Sequence, residues 1–364
     1  MIGWTLFRYF FVRFIFMTLQ FFIGVAVICY LADFTEFSRK VSSLPNYTIA
    51  TGLLVSALHV PLILQTAIPF IILFSSMTTL MMLNRKHELV IARSAGVSAW
   101  QFLLPFCFAS FLIGLATIMI FNPAAAHALA KAELIEASFK GDTAGLAEND
   151  NRIPWLRQQT PSEGTTVIGA EKSANRGLLL INATFIRLDD NGSITMRLDA
   201  KQAVLEKGAW HLTGVTKLTR DGQRTTMPSA TVKSGLKPEF IQERLAEPET
   251  IPFFELGRTI RIAHSFGLKA GGFAMEYNSL IALPFLLIAM TLIAATVSMR
   301  FVRMGQSIPM ILGGILAGFL LYVVSVLVKA FGSADIVPPP VAAWFPVVVA
   351  MFFGVTFLLH KEDG

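Results

Sequence analysis

From Phe273 to Met299 the chain carries one ionisable side chain, Glu276, and five other stretches are nearly as bare. They run from about Phe10 to Ala32, Leu53 to Leu83, Gln101 to Phe121, Ile308 to Lys329 and Val341 to His360. A helix that crosses a bilayer needs about 20 predominantly apolar residues, and each stretch is long enough. Inside hydrocarbon every backbone polar group must be satisfied within the segment, so such runs have to be helices. This feature excludes a water-soluble fold. A hydrophobic content of 54% and a mean hydropathy of +0.60 agree.

The rest of the chain is as unlike these runs as it could be. Between Lys131 and Lys269 lie 19 Lys/Arg and 17 Asp/Glu, out of 30 and 24 in the whole sequence. One water-facing domain of nearly balanced charge therefore interrupts an apolar chain. The overall charge of +6 comes mostly from the membrane parts and their loops, which is orientation chemistry and gives no support to nucleic-acid binding. Cys29 and Cys107 both lie in apolar runs, so the soluble domain has no disulfide framework or cysteine metal site. The first apolar run is not followed by a small-residue cleavage site and is expected to be a retained span.

Along the chain, Trp4, Arg8, Tyr9 and Arg13 form an interfacial lead-in whose arginines could snorkel to headgroups. The first run ends at Asp33, Phe34, Glu36, Phe37, Arg39 and Lys40. That cluster suits an ordinary interface belt, or a cationic grip on an anionic headgroup with the aromatics against its acyl portion. Pro61 and Pro69 allow the long second run to kink or tilt. Asn122-Pro123 marks an exit for the third run, because proline disfavours helical geometry in the residue before it. An alanine-rich helical stem follows over Ala124–Phe139.

Strand patterns then run over Gly177–Leu188, Ile194–Leu205, Trp210–Thr219 and up to Val232, with turns at Asp190-Asn191-Gly192, Lys207-Gly208 and Asp221-Gly222. In the third of these, alternation sets Trp210, Leu212 and Leu218 on one side and His211, Thr213, Lys217 and Thr219 on the other. Short strands at this spacing predict an all-β sandwich or jelly roll. Glu243–Ala270 predicts a helical return to the membrane, and Gly313, Gly314 and Gly318 predict close helix packing in the fifth span.

The expected fold is an α-helical membrane protein with six transmembrane helices, three and three, around an inserted all-β domain. The first membrane half covers 1–123, the β domain with its stems 124–268, and the second membrane half 269–364. Arg85, Lys86 and Arg93 in one loop and Arg300 and Arg303 in another place those loops in the cytoplasm. Both termini are then cytoplasmic and the β domain lies outside.

Chemistry is mostly conspicuous by absence. The sequence has no Gly-Lys dipeptide, so it holds no Walker A motif, and it lacks G-x-S-x-G, H-E-x-x-H and C-x-x-C. His59 and His127 stand alone and read as structural. Glu276 and Lys329 lie near helix ends, where an interfacial position explains them, and no buried carboxylate relay of an ion-coupled transporter is visible. No cofactor or metal site is expected. If the chain moves anything, another subunit must supply the energy.

The loop from Asn84 to Trp100 is the densest charge cluster in the first 120 residues. As a helix it places Glu88 in the first turn, where a carboxylate suits the macrodipole. Gly96 is a stop, and Ser98 with Gln101 is a capping box for the next span. It is either a charged loop that fixes orientation or a helix presented to a partner.

Glu88-Leu89 followed by Ala92, Arg93, Ser94, Ala95 and Gly96 is similar to the E-L-x-x-x-x-x-G coupling motif of the LptF/LptG permeases of lipopolysaccharide export. The run Gly313–Tyr322 and the segment Pro338-Pro339, Ala343-Trp344 and Pro346 resemble the LptG branch. The resemblance implies a half-transporter with a periplasmic jellyroll-like β domain in the bacterial inner membrane. It implies an LptF paralogue, a homodimeric LptB-type ATPase and a single-span LptC-type subunit as partners, with lipopolysaccharide as substrate and no enzymatic activity in this chain. The helix at about 85–97, with Arg85, Glu88, Leu89, Ala92, Arg93 and Gly96, would seat in the ATPase, Glu88 being its main acidic contact. Arg39 and Lys40 would meet lipid phosphates at the rim, beside Phe34 and Phe37; upstream, where the family can carry another lysine, this chain has Leu31 and Asp33. Two other readings stay open: a mechanotransmitting ABC subunit that moves no lipid, and a membrane-anchored assembly factor without an ATPase.

Overall fold

The computed structural model describes residues 3–42, 47–94, 96–144, 156–160, 164–174, 179–189, 193–206, 208–220, 222–234, 248–265, 270–298 and 307–362. Six helical segments are long and apolar enough to cross a membrane. The first membrane half contains α1 (Trp4–Val41), α2 (Ile49–Arg85), the short α3 (Glu88–Ser94) and α4 (Ala99–Ala116). A π-helical turn (Thr117–Phe121) joins α4 to α5 (Asn122–Ala144). After the β domain come α6 (Phe253–Ser265), α7 (Gly271–Ser298), α8 (Ser307–Ser333) and α9 (Pro339–Glu362). Arg93 is described in its backbone only, and Ala95, Arg300 and Arg303 lie outside the described residues.

The helix does not end at Asn122-Pro123. The apolar span runs through the π turn into α5, giving one rod from Ala99 to Glu136. Pro123 is the second residue of α5, where its missing N–H need not break the ladder: the π turn has already displaced the bonds it would join. Asn122 becomes a joint instead. Its Nδ2 donates to Gln65 Oε1 of α2 (3.3 Å), and its Oδ1 accepts from the backbone N–H of Phe253 at the start of α6 (2.8 Å).

The membrane core joins Phe10 and Phe14 of α1 to Ile72, Leu80 and Leu83 of α2, Phe102 and Phe106 of α4, and Leu287 and Met290 of α7. Hydroxyl pairs cross the same core: Thr18 to Ser75 at 3.0 Å, and Ser110 to Thr291 at 2.7 Å. In a bilayer such bonds and close packing hold helices together, because hydrocarbon supplies no hydrophobic drive between them. A Cβ on Gly114 would lie 2.5 Å from Pro284 Cα, so α4 and α7 approach backbone to backbone. The glycines of α8 divide: Gly314 and Gly318 abut Val297 and Leu73, while Gly313 faces open space. Of the apolar stretches, that of α7 is 61% buried and those of α1 and α8 only 11%, so α7 is the central post of the described helices.

The β domain is one antiparallel sheet in which sequence order is spatial order, β1 (Leu156–Thr160), β2 (Gly164–Ala174), β3 (Leu179–Leu188), β4 (Ile194–Glu206), β5 (Ala209–Thr219) and β6 (Arg224–Lys233). Among the described residues the inserted domain is thus a single meander sheet. The expected turn at 190–192 lies outside the described residues, as do Lys207 and Asp221, while Gly208 and Gly222 have the left-handed φ expected of them (78° and 77°).

The sheet has a crease. Pairing skips Glu171 with Asn182, Asn182 with Lys201, Lys201 with Gly214 and Gly214 with Pro228, one row across five strands. Asn182 and Gly214 have positive φ (49° and 65°), and Pro228 needs no ladder partner. At this row the side-chain alternation resets. Leu198 and Ala200 are buried before it on β4, Ala203 and Leu205 after it. On β5 the phase passes from Trp210 and Leu212 to Val215, so Leu218 is 39% exposed rather than buried as simple alternation predicts. The register is the same on both sides of the row, so it is no β-bulge: the strands change phase together and the sheet keeps one apolar face.

That face receives α6. Ile260 and Ala263 pack on the sheet core beside Phe185 and Trp210, whereas Leu256 packs on Ile118 and Leu280 of the membrane helices. One short helix therefore touches both domains.

Candidate coupling and lipid sites

α2 ends at Arg85 with Lys86 as its cap, and His87 turns the chain with a left-handed φ of 59°. α3 follows with Glu88 in its first turn. Gly96 closes it with φ of 84°, a value that an L side chain adopts only under strain. The capping box then forms as the sequence predicts: Gln101 N–H donates to Ser98 Oγ and Ser98 N–H donates to Gln101 Oε1, both 3.3 Å. α3 is thus a separate helix held between two spans by turn chemistry written into its flanks.

Its two faces differ. Leu89 and Ala92 are buried, Leu89 within the membrane core near Leu83 and Phe102. Arg85, Lys86, His87, Ser94 and Gly96 are exposed, as is Ile91 at 64%. Glu88 belongs with the inner face. The Nη1 of Arg13 on α1 donates to Glu88 Oε1 (3.1 Å) and Oε2 (3.3 Å), and Tyr9 Oη donates to Oε2 (3.0 Å). Arg13 Nη1 also reaches Tyr9 Oη, with its guanidinium 5.6 Å from the ring centre. The arginine expected to snorkel outward is instead 17% exposed and turned inward. Sequence reasoning missed this because 75 residues separate the pair; an arginine one helical turn after Tyr9 was the available hint.

At the other end of α1, Arg39 and Lys40 are exposed in the last turn. Lys40 Nζ pairs with Glu36 Oε1 at 2.6 Å. Phe34 is half-buried, but Phe37 sits inside the subunit against Val55 and Ala132, edge-on to His59. Of the two aromatics expected beside the basic pair, only Phe34 keeps a partly exposed side chain, since the hairpin of α1 and α2 takes Phe37 as core. Next to it His59 Nδ1 lies 3.4 Å from Asp33 Oδ2 and its Nε2 lies 3.1 Å from Glu136 Oε1. The imidazole ties α1 and α2 to the stem of the β domain.

The second membrane half has a matching feature. Lys329 Nζ on α8 lies 2.7 Å from Glu276 Oε2 on α7 and 3.3 Å from Glu249 Oε1, in the 3-10 turn (Pro248–Thr250) before α6. Each half therefore pinches a basic side chain between two carboxylates where the β domain joins the membrane.

Among the described residues, six helices long and apolar enough to cross a membrane, with a β sheet inserted between the third and fourth, define the class as a multi-pass membrane protein. The family model for the lipopolysaccharide export system permease LptF/LptG matches residues 8–360, nearly the whole chain, and the protein belongs to that family. It is a multi-pass inner-membrane permease of lipopolysaccharide export; the match does not separate the LptF and LptG branches. No curated protein matches the chain.

Proposed function

We propose that this chain is one membrane half, of the LptG type, of an ABC transporter that extracts lipopolysaccharide from the inner membrane and delivers it to a periplasmic β-domain bridge. The observation that carries this reading is α3. Its inner face is docked on its own subunit, leaving Arg85, Lys86, His87 and Ile91 exposed together at the end of the bundle. A cytoplasmic helix with one face docked and one free is shaped to receive motion from a partner and pass it inward. That partner is an LptB-type ATPase homodimer, since the chain has no P-loop of its own.

Arg39 and Lys40 lie 26 and 27 residues beyond Arg13 on the same helix, roughly 40 Å at the α-helical rise. Coupling and lipid capture then sit on opposite membrane surfaces, the termini in the cytoplasm and the β domain in the periplasm. Charge-assisted contacts from a basic pair suit lipid phosphates. An LptF paralogue and an LptC-type subunit complete the assembly, the sparsely covered faces of α1 and α8 being where lipid and protein neighbours fit.

Ile91→Glu tests the central point. It places a charge on the free face without touching the docked one, and the complex purified from native membranes should lose its ATPase while keeping its fold. Full ATPase retention would remove α3 as the seat.

A further inference from the structure

We infer that Asn122 and the π turn before it form the pivot of the β domain: one side chain clasps the helix that enters the domain, α5, to the helix that leaves it, α6, and both to α2. The inference stands on the fold and holds whether or not α3 seats an ATPase.

Asn122 is only 1% exposed and uses both ends of its amide. Its Oδ1 accepts from the N–H of Phe253 at 2.8 Å, and its Nδ2 donates to Gln65 Oε1 at 3.3 Å. Phe253 opens α6, and a first-turn N–H has no acceptor inside its own helix. Asn122 caps it from 131 positions away. Gln65 is itself buried and lies 20 residues from Arg85 at the end of α2, roughly 30 Å at the helical rise, so the joint sits where the hydrocarbon ends. Around it Ile118 of the π turn packs with Ile251, Leu256 and Leu280, and the Phe253 ring stacks on Tyr277 of α7 at 5.2 Å.

The π turn makes this the compliant point of the rod. Such turns are rare and recur at functional sites, and Pro123 takes a further N–H out of the ladder just after it. Met119 and Ile120 face outward at 59% and 72% exposure while Asn122 turns inward. Little else sets the attitude of the sheet. Among the described residues its apolar core meets Ile260 and Ala263 of α6 and Ala270 at the head of α7, and no other helix residue. Glu136 ties α5 to His59, and Glu249 ties the turn before α6 to Lys329. Those ties hold each connector separately, whereas Asn122 joins the two connectors to each other.

The test uses the full chain in the complex purified from native membranes, carrying Cys29→Ala and Cys107→Ala. Spin labels go on Thr226→Cys of β6 and Ser333→Cys at the end of α8, both exposed positions. Pulsed dipolar spectroscopy then reads the distance from sheet to membrane half, with thermal unfolding measured alongside. The parent should give one narrow distance. Asn122→Leu, which removes both bonds at similar volume, should broaden that distribution or move its maximum. Gln65→Leu should do so to a smaller degree, because Phe253 stays bonded. A distance unmoved in both variants overturns the inference. So does a lowered unfolding midpoint with an unmoved distance, which makes Asn122 a tie of the fold and nothing more. If Asn122→Leu does not fold, Gln65→Leu decides alone, and an unmoved distance in it is the contrary result.

Discussion

Lys329 stands in the last two turns of an apolar helix, yet its ammonium is held between Glu276, only 5% exposed, and Glu249. Removing a partner from a buried ion pair leaves the other charge without compensation, which is more costly than losing the pair altogether. Lys329 itself is 35% exposed, which softens the loss, so Lys329→Met should destabilise the purified protein by about 2 kcal/mol, and the double change with Glu276→Met should restore most of that. Thermal unfolding of the two variants decides it, an unchanged midpoint for the single variant being the contrary result. From sequence these residues were legible only as interfacial groups near helix ends; 53 positions separate them, and no local pattern announces the pairing. The same holds for Arg13 and Glu88. His59 reads in the sequence as standing alone, yet it lies between Asp33 and Glu136, partners equally out of sight there.

Helices and their ends were the most legible elements. Apolar run length located all six spans, and the Gly96 stop and Ser98–Gln101 box appear as the residues dictate. Where the reading failed, a local rule was overridden from outside. Pro123 does not end its helix, since the preceding π turn and the bonds of Asn122 to α2 and α6 absorb its cost. Leu218 turns outward because a crease crossing five strands resets the alternation, a property of the sheet and not of β5 alone. Glycines in spans were recognised as packing sites without knowing which ones pack. Gly114→Val should destabilise by about 2 kcal/mol through overpacking, since its Cβ would meet the Pro284 backbone. Gly313→Ala, facing open space, should be neutral or slightly stabilising through better helix propensity. Unfolding of the two side by side checks the assignment; equal losses would contradict it.

At the scale of the molecule, the side-chain junctions at His59 and Lys329 and the helix α6 fasten the β sheet to both membrane halves, while the faces of α1 and α8 remain sparsely covered. The bilayer constraint and the charge distribution made this architecture readable, and the family match agrees. Arg39→Glu with Lys40→Glu should lower copurified lipopolysaccharide about tenfold by charge reversal at the lipid end, with ATPase binding intact; unchanged lipid would detach the basic pair from capture. The most direct measurement is to extract the tagged protein gently from its native membrane and identify what comes with it by mass spectrometry. The account predicts a P-loop ATPase, a second six-span permease and lipid A-bearing lipopolysaccharide together. The ATPase without the glycolipid would contradict lipid carriage by this chain, and no ATPase at all would contradict the coupling on which the account rests.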